Sequence, residues 1–369
     1  MRMFLRVLLR KCVRCWSILL TAHMVLTFHI FHIEVMTLNR LGTVFLFITL
    51  LILLLSSSTR ADNDYKVAVV TTIPPLAAIA REVGGDRVNV YYLVPPGSDP
   101  HQYALKPDDV ERVRSCDLFI SVGKEAFLGS LPEDIEGIKL SWDDWISAGI
   151  YVKDDNPHYL WLYPENAVKI AAKICEVLTI IDPGGREYYE RNFEAFKNKI
   201  DELVEWIDDY TRVSGVKGEK VVLAGAHFEP LATVMGLKVV GVLIKGEGKI
   251  PSPQEVAQIE NIIRNEDVSA IVVLATQKIG DEGRIAASIS KETGVPIVYV
   301  YGVMFSGDDT YTEHIKYTVT AIAAAIEAGR TRGITKSSTF SFSYTTLVTS
   351  IIVLTVLVII ETFVLVRGK

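Results

Sequence analysis

One long amphipathic segment divides this sequence into two halves: GREYYERNFEAFKNKIDELVEWIDDYTRV, at Gly185–Val213. Its apolar residues recur at alternating spacings of four and three, which places them in one stripe along a helix. The stripe consists of Tyr189, Phe193, Phe196, Ile200, Leu203, Ile207 and Tyr210. Pro183-Gly184 precedes the segment and Ser214-Gly215 follows it, as is typical of helix boundaries. We therefore predict one long linking helix at residues 184–214.

Short runs rich in β-branched residues alternate with helical patterns on both sides of this helix. The predicted strands are Val67–Thr71, Val88–Leu93, Leu118–Val122, Val221–Ala224, Lys238–Leu243, Ile271–Leu274 and Ile297–Val300. The predicted helices cover residues 75–83, 107–115, 164–178, 253–265, 281–293 and 311–328. Such alternation favours parallel sheets with helices on both faces.

The predicted fold class is therefore α/β, with two lobes joined by one long backbone helix. Each lobe has a mostly parallel sheet flanked by helices, and we place the lobes at residues 62–183 and 215–330. The alternative is a single domain in which the long segment is an ordinary surface helix.

An apolar run near the N-terminus has the pattern of a secretory signal. Leu41–Leu55 follows Arg40 and precedes small residues, and it is short for a bilayer span. We place a signal peptide at residues 36–61, after an N-terminal extension at residues 1–35. An uncleaved membrane anchor is the alternative.

A second apolar run near the C-terminus has the length of a membrane-spanning helix. We predict a transmembrane anchor at residues 345–366, after a Ser/Thr-rich stalk at residues 331–344. The basic tail at residues 367–369 is then cytoplasmic by the positive-inside rule. The α/β part is expected at the cell surface, outside the cytoplasm and anchored to the cell membrane.

The α/β part is acidic, because almost all of the 44 Asp and Glu residues lie in it while many of the 38 Lys and Arg residues lie in the terminal segments. Such a surface is a poor partner for nucleic acid and attracts cations. Cys116 and Cys175 lie in apolar helical surroundings, so we expect buried free thiols, with a disulfide as the alternative.

Three of the four histidines in the α/β part share a context. His101 lies in a turn after a predicted strand, His158 directly precedes a helix, and His227 follows the strand VVLAGA. Open α/β sheets bind ligands at such positions. Neutral imidazole is a strong ligand for Zn²⁺ and related cations. The fourth, His314, is expected to point outward from its helix.

A carboxylate would complete a four-coordinate metal site. Asp309, in GDDTYTEH, follows a predicted strand and opens a helix, and Asp308 is the second choice. In the alternative interpretation, Asp309 is only the N-cap of the helix that begins near Tyr311.

Five motifs carry a family resemblance. They are TTIPPLAAIAREVGGDRVNVYYLVPPGSDPHQY (71–103), NPHYLWLYPEN (156–166), AHFEPLATVMGL (226–237), PSPQEVAQI (251–259) and GDDTYTEHIKYTV (307–319). In this order the chain resembles the zinc/manganese-specific solute-binding proteins of ABC importers, the cluster A-I or zinc-uptake type. The resemblance implies that His101, His158, His227 and Asp309 coordinate the metal between two lobes.

The resemblance also implies a partner, an ABC permease in the membrane, and a chain that is a binding protein and not an enzyme. We expect a monomer. Many zinc-importer members carry a His-rich loop between their first two ligands, whereas Gln102–Pro157 contains no histidine. Three imidazoles and one carboxylate favour Zn²⁺ as the transported ion, with Mn²⁺ as the alternative.

Two other functions remain open at this point. A surface-anchored zinc-dependent hydrolase would need a general base, for which Glu229 is the candidate, and the sequence has no H-E-x-x-H pair. A receptor for an organic solute or siderophore would need an aromatic-lined cleft.

Overall fold

The structure is a computed structural model that describes residues 23–27, 49, 66–246, 249–304, 306–307 and 309–337. The predicted N-terminal extension and signal peptide lie largely outside these residues, and the transmembrane run at 345–366 lies wholly outside them. Of the stalk predicted at residues 331–344, residues 331–337 are described, and they form the end of the helix Tyr311–Ser337. Among the helices of the described part, none is both long and apolar enough to cross a membrane.

The first lobe is a parallel sheet of four strands in the order β2-β1-β3-β4. The strands are β1 (Val67–Thr71), β2 (Val88–Tyr92), β3 (Leu118–Ile120) and β4 (Ile138–Leu140). Its helices are α1 (Pro74–Gly84), α2 (Pro107–Ser115), α3 (Trp142–Ser147), α4 (Tyr159–Leu162) and α5 (Pro164–Ile181). The two central strands are almost fully buried, because helices cover both faces of a parallel sheet.

The second lobe repeats this plan with four parallel strands in the order β6-β5-β7-β8. The strands are β5 (Lys220–Gly225), β6 (Lys238–Ile244), β7 (Ala270–Leu274) and β8 (Ile297–Val300). With the helix between the lobes numbered α6, the helices here are α7 (Glu229–Val234), α8 (Pro253–Asn265), α9 (Asp281–Thr293) and α10 (Tyr311–Ser337). Helix α8 begins with Ser252 in a capping box, in which its hydroxyl accepts from the Glu255 amide.

The linking helix α6 spans Arg186–Val213. The predicted stripe faces the interior: five of its residues are buried, and Phe193 and Tyr210 pack against the core from partly buried positions. Burying one large apolar side chain contributes about 1.5–3 kcal/mol, so this stripe fixes the helix firmly against both lobes. The helix ends at Val213 with Ser214 as its C-cap, and the next residue, Gly215, takes a φ of 70°, which favours glycine.

The predicted fold class is therefore confirmed. The structure adds β4, α3, α4 and α7, which the sequence pattern did not predict because each is too short for a clear period. The lobe boundaries at residues 183 and 215 stay a prediction. Cys116 and Cys175 are buried free thiols, as expected, and burial raises the pKa of Cys116 to about 11.

The two sheets explain where the cavity lies. In each sheet the connections that follow the two central strands lead to opposite edges of the sheet. The strand order therefore reverses between β1 and β3 in the first lobe and between β5 and β7 in the second. Ligands bind at such switch points, outside the carboxyl ends of the strands. One cavity is lined by residues that follow both switch points: Ile73 and Val122 in the first lobe, and His227 and Thr276 in the second.

Candidate metal centre

His227 is positioned by the end of a central strand. It lies two residues after Gly225, the last residue of β5, in a 3-10 turn at Ala226–Phe228. The imidazole Nε2 lies 2.9 Å from Oε1 of Glu282. A side chain at Gly225 would collide with both groups, because a Cβ there would lie 2.7 Å from His227 Cδ2 and closer still to Glu282 Oε1.

His158 is positioned by a polar loop that precedes α4. The Asn156 side chain accepts from the His158 amide at 3.0 Å, and its Oδ1 lies 2.8 Å from Nδ1 of the His158 ring. Asn156 Nδ2 donates to the Ala226 carbonyl at 2.9 Å, which orients the amide so that Oδ1 faces the ring. Nε2 of His158 is therefore the ring nitrogen left to face the cavity.

His101 is exposed and lies in a 3-10 turn at Pro100–Gln102. Asp99 caps this turn, accepting from the His101 amide at 3.0 Å. The same carboxylate accepts from Gln277 of the second lobe at 2.7 Å. The turn that carries His101 is thus tied to the opposite lobe.

The three histidines converge although they come from distant parts of the chain. One ring nitrogen from each of His101, His158 and His227 lies within 4.8 Å of the other two. His227 Nδ1 and His158 Nε2 are only 2.9 Å apart. Since Zn–N bonds are about 2.0–2.1 Å long, nitrogens on one tetrahedral ion lie about 3.3 Å apart. The arrangement can accept an ion after small adjustments of the side chains.

The electrostatics of the cluster suit a cation. Burial, and then the proximity of His227 and His101, lowers the pKa of His158 well below its ordinary value of 6.5. Its imidazole is therefore neutral at neutral pH, and the neutral form is the one that binds metals. The surroundings restrict water, since apolar side chains such as Ile73, Trp161 and Leu274 line the same cavity.

Trp161 helps to close the cavity between the lobes. Its ring lies 5.1 Å from that of His158, and its Nε1 donates to the Gly302 carbonyl of the second lobe at 2.6 Å. Tyr311 Oη in turn donates to the Trp161 carbonyl at 2.9 Å. The wall behind His158 is thus built by both lobes together.

Asp309 lies before α10, with a partly buried side chain, outside the group formed by the three histidines. Its Oδ2 accepts from the Ser306 amide at 2.9 Å. The helix cap is Thr310 instead, whose hydroxyl accepts from the Glu313 amide while Glu313 accepts from the Thr310 amide. The alternative interpretation of Asp309 as N-cap was therefore wrong. Asp308 lies outside the described residues.

The outward orientation predicted for His314 was also wrong, because only 3% of this residue is exposed. It lies three residues after the buried Tyr311 and one before the buried Ile315, on the inner face of α10. His314 does not belong to the histidine cluster, and burial lowers its pKa to about 4.

Glu282 is the residue of this region that the sequence did not identify. It lies in the first turn of α9 and is 7% exposed, and it reaches His227 from that position. The one available signal was its location at the start of a helix that follows a buried strand, which many acidic residues share.

Glu229, the candidate base of the hydrolase interpretation, is occupied elsewhere. Its carboxylate pairs with Lys153 Nζ at 2.5 Å, and it is not among the residues that line the cavity. The hydrolase interpretation has no support in the described part of the chain.

Known proteins resemble this chain over most of its length, two in sequence and one in fold. Manganese ABC transporter substrate-binding lipoprotein PsaA of Streptococcus mitis is 26% identical over 314 residues, which cover 78% of this chain and 99% of the relative. Manganese-binding lipoprotein MntA of Halalkalibacterium halodurans is 26% identical over 300 residues, or 76% of this chain and 98% of the relative. A crystal structure of ZnuA has the same fold, with a TM-score of 0.61 at 22% identity over 71% of this chain and 99% of that chain.

The profile of one family covers most of the α/β part. It is described as zinc-uptake complex component A, periplasmic (ZnuA), and it matches residues 69–325. This range includes both sheets except the first two residues of β1, the linking helix and all three clustered histidines. The chain therefore belongs to the family of the periplasmic zinc-uptake component A, ZnuA.

Proposed function

We propose that this chain captures a divalent transition-metal ion outside the cytoplasm and delivers it to the permease of an ABC importer, acting as a binding protein and not as an enzyme. The observation that carries the proposal is the convergence of three imidazoles, contributed by both lobes, at one cavity. Membership in a family of zinc-uptake components and relatives named as ABC transporter substrate-binding lipoproteins support it.

The proposed ligands are His101, His158, His227 and Asp309. Three nitrogen donors and one carboxylate suit a tetrahedral Zn²⁺ ion, whereas Mn²⁺ prefers more oxygen donors. Zn²⁺ is therefore the first choice. Mn²⁺ stays the alternative because two relatives carry manganese in their names.

Asp309 is proposed as the carboxylate ligand because it is not needed as a helix cap. Thr310 performs that function, and the loop before Asp309 contributes Gly302 and Val303 to the cavity wall. Among the described residues, the hydrogen bond of the Asp309 carboxylate is to a backbone amide of its own loop, and such a contact can be exchanged for a metal ion at small cost.

The proposed location is the cell surface, with residues 345–366 as a transmembrane anchor and the α/β part at residues 62–330 outside. The length and apolar character of that run support the anchor. The two named relatives are described as lipoproteins, so the proposed transmembrane anchor is a difference from them.

The test is metal binding by the purified full-length chain after removal of metal with a chelator. Isothermal titration at pH 7 with Zn²⁺ and with Mn²⁺ should show one site per chain and tighter binding of Zn²⁺. The variant Asp309→Ala should bind more weakly than the parent. As a matched control, His314→Gln changes a buried histidine outside the cluster and should bind normally. If the unmodified chain binds neither Zn²⁺ nor Mn²⁺, the proposed function is refuted.

A further inference from the structure

A buried carboxylate approaches the histidine cluster from outside. Glu282 Oε1 lies 2.9 Å from Nε2 of His227, while Nδ1 of the same ring lies 2.9 Å from Nε2 of His158. Glu282 therefore contacts the ring nitrogen that does not face the other histidine. It does not belong to the group of converging ligand atoms.

The environment of Glu282 is unusual for a carboxylate. Its side chain is 9% exposed, and its second oxygen, Oε2, is buried without a hydrogen-bond partner among the described residues. Carboxylates are seldom buried unless they are paired, because desolvation of the charge is costly. The first turn of α9 offsets part of this cost, since a helix N-terminus stabilises negative charge. The remaining partner is the His227 ring.

The contact between Glu282 and His227 needs space beside the backbone of Gly225. Gly225 ends β5 with an ordinary extended φ of −133°, so glycine is not required there by the backbone conformation. It is required by space, because a Cβ would meet both the His227 ring and the Glu282 carboxylate. The end of the strand is thus shaped to let Glu282 reach the ring.

We propose that Glu282 is a positioning residue for the metal site: it accepts the Nε2–H of His227, so that Nδ1 carries the lone pair that binds the ion. This inference rests on the proposed function and assigns the binding atom of one ligand. Carboxylates that accept from a metal-bound histidine fix its tautomer and orientation and make it a stronger ligand.

The same reasoning assigns the metal-binding nitrogen of His158 in the first lobe. For this ring it is Nε2, whereas for His227 it is Nδ1. Asn156 Oδ1 accepts the Nδ1–H of His158, which leaves Nε2 for the ion. With both outer nitrogens protonated, two lone pairs face each other across 2.9 Å. A cation between them removes their repulsion, so the two outer partners together prepare the site for an ion.

The direct test is nuclear magnetic resonance of the full-length chain labelled with ¹⁵N in histidine. In the zinc-loaded protein we expect His227 to bind through Nδ1 with Nε2 protonated, and His158 to bind through Nε2. The His227 signals are assigned by their loss in His227→Ala. A zinc-bound Nε2 on His227 would overturn the inference.

Variants give a second readout by zinc competition with a chelating dye. Loss of an outer partner typically weakens metal binding about 10–100-fold, and we expect Glu282→Ala to fall in this range. Glu282→Gln keeps an oxygen that can accept from Nε2–H, so its loss should be smaller. Asp281→Asn, a change of the neighbouring and more exposed carboxylate on α9, should bind like the parent. Circular dichroism checks that each variant is folded.

The two proposals fail in different ways. If the unmodified chain binds no metal, the proposed function fails, and the role of Glu282 fails with it. If the unmodified chain binds zinc and folded Glu282→Ala binds it equally well, only the inference about Glu282 fails.

Discussion

The two lobes have sheets of the same strand order but hold their histidines in different ways. In the second lobe, His227 follows a central strand by two residues and its ring is paired with a buried carboxylate. In the first lobe, His101 and His158 lie on loops away from the sheet. Their positions depend on the side chains of Asp99 and Asn156, which also contact the opposite lobe.

The difference indicates that the second lobe supplies a ligand whose position is fixed by its own sheet. The first lobe supplies ligands whose positions depend on contacts between the lobes. A strand end is held by the backbone hydrogen bonds of its sheet and by core packing, whereas these two loops have fewer backbone hydrogen bonds and rely more on side-chain contacts. The four predictions below test this contrast, from the largest expected effect to the smallest.

Removing one histidine from either lobe should have the largest effect. Because loss of an outer partner alone costs about 10–100-fold in metal affinity, loss of a ligand in His158→Ala or His227→Ala should weaken zinc binding more than about 100-fold. Competition with a chelating dye measures this ratio. Retention of tight binding in one of the two variants would show that the histidine changed in that variant is not a ligand.

His314 should control stability instead of binding, although it belongs to the same lobe as His227. Its pKa is about 4 in the folded chain against 6.5 ordinarily, so the unfolded chain binds more protons between these values. Stability is therefore present above pH 6.5 and is lost as pH falls toward 4, by about 3 kcal/mol for this residue alone. Urea unfolding of the metal-free chain between pH 7 and pH 4 measures the loss.

The matched variant for this prediction is His314→Gln, which cannot take up the proton. Its free energy of unfolding should depend less on pH than that of the parent, by the same amount. An unchanged pH dependence would mean that other groups, such as His158, account for the loss.

Removing the Asn156 side chain should loosen the first lobe's ligand. In Asn156→Ala, His158 loses the acceptor for its Nδ1–H, and the link to the Ala226 carbonyl is lost as well. We expect zinc affinity to fall about 10–100-fold in a competition assay. Asn156→Asp keeps the acceptor and should fall less. Equal binding by Asn156→Ala and the parent would contradict the dependence on this loop.

The smallest effect is expected at the ion pair between the lobes. Lys153 is about half exposed and pairs with Glu229, and such exposed pairs contribute about 0–1 kcal/mol. Lys153→Met should therefore lower the free energy of unfolding by less than about 1 kcal/mol and leave zinc affinity nearly unchanged. A larger change in affinity would mean that this pair, and not Asn156, orders the loop.

The sequence by itself determined the repeating architecture and the identity of the clustered histidines. The period of the linking helix and the apolar strands report which faces are buried, and these patterns are local to each element. The contexts of His101, His158 and His227 could be recognised because strand ends and helix starts are also local features. Most boundaries of elements long enough to show their period were close to those observed, but the last helix, predicted at residues 311–328, extends to Ser337.

Only the tertiary structure decided how the site is supported. Glu282 and His227 are 55 residues apart, and nothing in either segment indicates that they meet. Likewise, the burial of His314 depends on what α10 packs against, and the cap at Thr310 depends on competition between adjacent polar residues. A sequence pattern reports the average environment along an element, whereas a contact between two side chains depends on how separate elements pack together.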